Sequence, residues 1–129
     1  MTNRNNISSA SPFEESIGFS RAVRIGNFIA VSGTAPIPSK GDAPTTVYDQ
    51  TRLCLQIMHT VIEKAGGTLA GVIRTRIMLT DISRWKEAAQ AHGELFSHIR
   101  PACTFVEVKG FIDPSWLVET EADCIVESE

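Results

Sequence analysis

The stretch "FSRAVRIGNFIAVSG", residues 19–33, places two short runs of mixed polar and apolar residues on either side of Gly26-Asn27. Glycine and asparagine tolerate the positive φ that a tight hairpin turn requires. The pair predicts one strand ending at Ile25 and a second from Phe28 to Gly33. The chain beyond Gly33 decides the kind of sheet this hairpin joins. "TAPIPSKGDAP" carries three prolines and a glycine and reads as a loop with Lys40-Gly41-Asp42 at its tip. From Thr46 to Ala65 the period becomes helical, with Val47, Cys54, Ile57, Met58, Val61, Ile62 and Ala65 recurring at spacings of three, four and seven. Gly66-Gly67 ends the helix, because glycine readily takes the left-handed conformation beyond a last turn.

"VIRTRIML", residues 72–79, alternates as a strand, with Ile73, Thr75, Ile77 and Leu79 expected on one face. Asp81 or Ser83 is placed to cap a second helix whose buried stripe reads Trp85, Ala88, Ala89, His92, Leu95 and Phe96. Pro101 stops that helix or the turn after it. "CTFVEVKGF" is a strand and "IDPSW" a turn. "LVETEADCIVE" is a last strand with Val118, Thr120, Ala122, Cys124 and Val126 on a common side.

Residues 1–15 show no periodicity and are expected to be a flexible N-terminal arm, leaving residues 16–129 as one domain. The order ββαβαββ is an α+β pattern: a mixed sheet with two helices on one face. The uncovered face carries apolar residues on several strands, and a second copy of the chain is its expected cover.

Composition narrows the classes. Twelve Lys and Arg against fifteen Asp and Glu give a net charge of −3, without the basic stripe that neutralises phosphates. No apolar run approaches the ~20 residues of a spanning helix. Neither nucleic acid nor membrane is therefore an expected partner. "MTNRNNISSASPFEES" lacks an apolar signal core, and three widely spaced cysteines, Cys54, Cys103 and Cys124, do not make a disulfide framework. The expectation is a reduced, cytoplasmic protein.

Few residues carry chemistry. His92 and His98 are six apart on different helix faces, neither with a cysteine or carboxylate at ligand spacing, and with His59 they read as satisfied helix or rim residues, so no metal is expected. No P-loop, GxGxxG, CxxC or GxSxG occurs, and no cofactor is expected. Cys54 and Cys124 lie in apolar patterns and read as small core residues. Cys103 stands at a strand entrance within "HIRPACTFVEV", residues 98–108, where a nucleophile, a core filler and a replaced functional residue are all open readings. Glu107, Glu119 and Glu121 are the candidate carboxylates, and alternation puts Glu119 and Glu121 on one face. A partly buried carboxylate there would hold its proton more tightly and could shuttle it near neutrality; a solvated strand face is the other reading.

Taken together, "FSRAVRIGNFIAVSG", "EKAGG", "VIRTRIMLTD", "ACTFVEV" and "LVETEAD" resemble the RidA (YjgF) family of enamine/imine deaminases over residues 16–127. The resemblance implies a chorismate mutase-like fold whose sheets form a central barrel in a homotrimer, with small-molecule clefts between subunits. It also implies Glu119 as the residue handling the hydrolytic water and Ser32 as a substrate hydrogen-bonding group beside Gly33. Phe19 falls where the family has a tyrosine, and Cys103, before Thr104, falls where it has a carboxylate-gripping arginine. Loss of a bidentate arginine removes roughly 3–5 kcal/mol, on the order of a hundred- to a thousandfold in affinity. Arg100 is the first candidate for a substitute anchor, ahead of Arg21 and Arg24. The expected function is hydrolysis or binding of a small imine- or enamine-type metabolite, without efficient 2-aminoacrylate or 2-iminopropanoate deamination. A non-catalytic ligand-binding trimer is the alternative.

Overall fold

The computed structural model describes residues 3–9 and 11–127. In chain order the elements are β1 (Arg4–Ile7), α1 (Pro12–Ile17), β2 (Ala22–Ile25), β3 (Phe28–Thr34), α2 (Val47–Lys64), β4 (Val72–Leu79), α3 (Trp85–Phe96), β5 (Ala102–Glu107) and β6 (Val118–Ile125). The six strands form one sheet in the order β1-β2-β3-β6-β4-β5. All neighbours are antiparallel except β4 and β5, so the sheet is mixed as expected.

The β2–β3 hairpin turns at Gly26-Asn27, where Ile25 pairs with Phe28 and Gly26 has φ 58°. Thr46 caps α2 by accepting from the Asp49 amide at 3.0 Å. The helix ends as predicted: Gly66 has φ 89°, and the Gly67 amide donates back to the Ile62 carbonyl at 2.9 Å. Helices α2 and α3 cover one face of the sheet. Ile29, Val31, Leu55, Met58, Ile62, Phe96 and Cys124 form the larger part of the core, and Val47, Ile77, Leu79, Ala88 and Val118 the smaller. Burial of each large aliphatic side chain contributes about 1.5–3 kcal/mol.

Within the N-terminal segment, Arg4–Ile7 forms an edge strand, with Ile7 opposite Ala22, and Pro12–Ile17 a short helix capped by Ser11. Two expectations are corrected. On β4 the buried set is Val72, Thr75, Ile77 and Leu79, while Ile73 is 50% exposed. A bulge between Val72 and Arg74 in the pairing with β6 inserts one residue and turns Ile73 outward. On α3, Ala88, Ala91 and Phe96 are the buried positions; Trp85 is exposed, and Ala89, His92 and Leu95 are half-buried. Asp81 caps a single turn of 3₁₀-helix, Ile82–Arg84, that leads into α3.

The sheet face opposite the helices carries apolar residues on several strands, as expected: Ile25 and Phe28 are 46% and 43% exposed there. Alternation places Met78, Val106 and Phe28 on it, but Arg76–Glu121 and Arg74–Asp123 ion pairs cross its middle. Behind the sheet, buried Gln50 on α2 ties two loops down. Its amide donates to the Pro44 and Ser115 carbonyls at 2.8 and 2.9 Å and accepts from the Leu117 amide at 2.7 Å. That last bond anchors the segment entering β6, two residues before Glu119.

Candidate functional site

Glu119 leaves β6 on the open face, because Val118 and Thr120 on either side of it are buried against the helices. Diagonally beside it, opposite Glu121, β3 has a bulge between Val31 and Thr34 that carries Ser32 and Gly33. A Cβ at Gly33 would stand 3.2 Å from Glu119 Oε1, so a side chain there would press on the carboxylate. Glycine is what lets the carboxylate settle over the bulge.

Two side chains from the strand entrance hold that bulge. Ser32 Oγ donates to the Ser20 carbonyl at 2.5 Å, which leaves the hydroxyl oxygen free to accept from a ligand. Arg21 Nη2 donates to the Gly33 carbonyl at 3.0 Å, and the guanidinium lies 5.5 Å from the centre of the Phe19 ring. Half-burial pushes the Glu119 carboxyl above its ordinary range, and the positive charge of Arg21 acts in the opposite direction. Arg21 is itself lowered by burial, with Glu14 and Glu119 both counteracting. Phe19, Ser32, Gly33 and Glu119 are thus brought together, and Arg21 joins them.

Cys103 and its neighbours are placed elsewhere. In the parallel β4–β5 ladder Cys103 stands beside Thr75, and Thr75 beside Ala122, so Cys103 faces the helix side of the sheet. Glu119 lies two strands and three residues away on the opposite face, roughly 14 Å by sheet geometry. Thr104 shares the open face, beside Arg76. Cys103 and Thr104 are exposed on an edge strand. Arg100 is exposed at the turn before it, with φ 58°, unusual for a non-glycine residue. Arg24 is committed to the Gly26 and Ala65 carbonyls, both at 2.8 Å. One chain therefore does not bring Arg100, Cys103 or Thr104 to Glu119.

His92 and Cys54 are held within the core side of the sheet. His92 Nε2 lies 2.8 Å from Thr75 Oγ1 and its ring stacks near Phe96, with its pKa lowered by burial. Cys54 is buried and its thiol is pushed far up. No cluster of three or more His, Cys, Asp or Glu side chains that could hold a metal ion occurs among the described residues.

Similar proteins place this chain in a family. The family model described as Endoribonuclease L-PSP matches residues 10–126. The crystal structure of Rv2704 from Mycobacterium tuberculosis, a member of the YjgF/YER057c/UK114 family, superposes with a TM-score of 0.89 at 44% identity. The match covers 96% of this chain and 100% of that one. The chain belongs to the YjgF/RutC/RidA family. A RutC family protein of Pyrococcus horikoshii is 32% identical over 106 residues, 81% of this chain and 83% of its own. An uncharacterized protein of Streptomyces coelicolor is 38% identical over 120 residues, 91% of this chain and 88% of its own.

Sequence reasoning missed Glu14 and gave Arg21 only a minor place. The signal for Glu14 was present: "SPFE" has Ser at the N-cap, Pro at the first helical position and Glu three residues after the cap. Here the Glu14 carboxylate turns back onto Ser9, accepting from its amide at 2.9 Å and from its hydroxyl. Among the described residues no helix is long and apolar enough to cross a membrane.

Proposed function

We propose that this member of the YjgF/RutC/RidA family binds and hydrolyses a small imine- or enamine-type metabolite in clefts between subunits of a cytoplasmic homotrimer. The observation that carries the reading is the half-buried Glu119 carboxyl, pushed upward by burial and seated over Gly33 beside Ser32. A carboxyl so placed can protonate the nitrogen of a C=N bond while water adds to the carbon. As carboxylate it then accepts a proton from the attacking water. Collapse of the carbinolamine breaks the C–N bond, and ammonia and a carbonyl compound leave. Ser32 Oγ, already donating to Ser20, accepts from the substrate N–H.

The separation of Cys103 from Glu119 within one chain supports a cleft completed by a neighbouring copy, whose β5 edge would bring Cys103 and Thr104. A thiol in the place of a guanidinium favours a substrate without an α-carboxylate at that end. The alternative, a trimer that binds such a ligand without turning it over, keeps the same cleft. An endoribonuclease reading has less support. The chain is acidic overall, and His92 is half-buried and engaged with Thr75.

Ammonia release from matched imines with and without an α-carboxylate tests the proposal. Turnover is expected for the carboxylate-free imine, with 2-iminopropanoate turned over very weakly. Cys103→Arg is expected to improve the carboxylate-bearing substrate about ten- to a hundredfold, the effect of one charge-assisted hydrogen bond. Efficient wild-type turnover of 2-iminopropanoate contradicts the reading of Cys103. Saturable binding of the carboxylate-free imine without ammonia release favours the non-catalytic alternative.

A further inference from the structure

The helix α1, which begins within the expected loose arm, carries a carboxylate whose field reaches Arg21. Glu14 is 8% exposed and fixed by the Ser9 amide and hydroxyl. Its carbonyl accepts the amides of Gly18 and Phe19 at 2.9 Å, which sets the corner from α1 into Phe19 and Arg21. Arg21 then lies in the fields of two carboxylates, Glu14 from α1 and Glu119 from β6. Neither makes an ion pair with it within 4.0 Å among the described residues; its near acceptor is the Gly33 carbonyl.

We propose that Arg21 is a positioning residue for Glu119: held on the Gly33 carbonyl above Phe19, it fixes the β3 bulge beneath the carboxylate and balances its charge against Glu14. Phe19 supplies the ring face on which the cation rests, and the fork geometry supplies the bond to Gly33. The other groups around Glu119 do not supply this balance. Cys54 on α2 is an un-ionised thiol, Met78 opposite on β4 does not titrate, and Glu121 on β6 is paired with Arg76. The β1–α1 segment thereby becomes part of the site's electrostatics, through Arg21, without touching the ligand.

The inference rests on Glu119 being the proton-handling group, yet its test needs no substrate, so the two ideas fail separately. The Glu119 carboxyl of the isotope-labelled full chain is titrated by NMR in wild type and in Arg21→Gln, Arg21→Lys and Glu14→Gln. Arg21→Gln is expected to shift the Glu119 midpoint upward and to speed exchange of the Gly33 and Thr34 amides. Arg21→Lys should restore the midpoint toward wild type while the faster exchange persists, because charge is kept and the fork lost. Glu14→Gln should shift the midpoint downward. A midpoint unchanged in both Arg21→Gln and Glu14→Gln, with or without loss of stability, overturns the proposal. If Arg21→Gln does not fold, Glu14→Gln decides: a downward shift supports the balance and no shift overturns it.

Discussion

Glu119 on β6 and Cys103 on β5 carry most of the functional reading, and they live in different surroundings. Glu119 is enclosed by its own chain: a bulge below it, a guanidinium beside it, and a buried Gln50 fixing the strand entrance. Cys103 stands on an edge strand, exposed and facing the other side of the sheet. A proton-handling group has to be held by its own fold if its proton affinity is to be set. A group that meets the ligand from a neighbouring copy can wait on an edge. On the proposed reading, the chain carries one half of a site at each location.

The largest expected effect breaks what the two regions share. Ile77 on β4 pairs with Phe105 on one side and Thr120 on the other, and is fully buried. Ile77→Ala should cost about 2–5 kcal/mol by denaturant unfolding, through lost burial and a residual cavity. Cys103→Ala should stay within about 0.5 kcal/mol, as exposed positions do. Equal costs would mean that the β5 edge is held as tightly as the core beneath Glu119.

A smaller effect sharpens the comparison through pH. Glu119 has a folded pKa raised above its unfolded value. Below about pH 4.5 both states are protonated. As pH rises beyond that, the unfolded chain ionises first and stability is lost. Glu119→Gln should therefore be the more stable protein at neutral pH, with the difference closing in acid. His92, on α3 behind the Cys103 strand, has its folded pKa lowered by burial. Its contribution is complete above about pH 6.5 and is lost as pH falls, because the unfolded chain takes the proton first. Thermal unfolding across pH, in wild type and in Glu119→Gln and His92→Asn, should resolve two slopes of opposite sign. Slopes of the same sign contradict these assignments.

The legibility of each feature tracks how local its cause is. The hairpin at Gly26-Asn27 and the end of α2 at Gly66-Gly67 are set by nearby backbone chemistry, and both are readable from sequence. Ile73 is misplaced by alternation because the β4 bulge is decided by pairing with β6, a partner about fifty residues away in sequence. Gln50 is invisible to a pattern of apolar residues, since its burial depends on the Pro44 carbonyl just before the helix and on the Ser115 carbonyl of a distant loop. The face of Glu119 follows from strand alternation. Arg21 and Glu14 reach its surroundings only through the corner between α1 and β2. The cap signature in "SPFE" announces that corner, but nothing in it names the partner. The face of Cys103 depends on its parallel register against Thr75, which no spacing within β5 encodes.

The central claim, a site made of Glu119 from one copy and the Cys103 edge from another, is tested most directly by complementation. Glu119→Gln and Cys103→Trp are made separately, shown to be folded, and then co-assembled in equal amounts, with hydrolysis of a carboxylate-free imine as the readout. Each variant alone should be inactive. The mixture should recover about one quarter of the wild-type rate, the statistical share of interfaces that retain both intact halves in a cyclic homo-oligomer. Recovery of no activity from well-mixed oligomers, with both parent variants inactive, would contradict a site shared between copies.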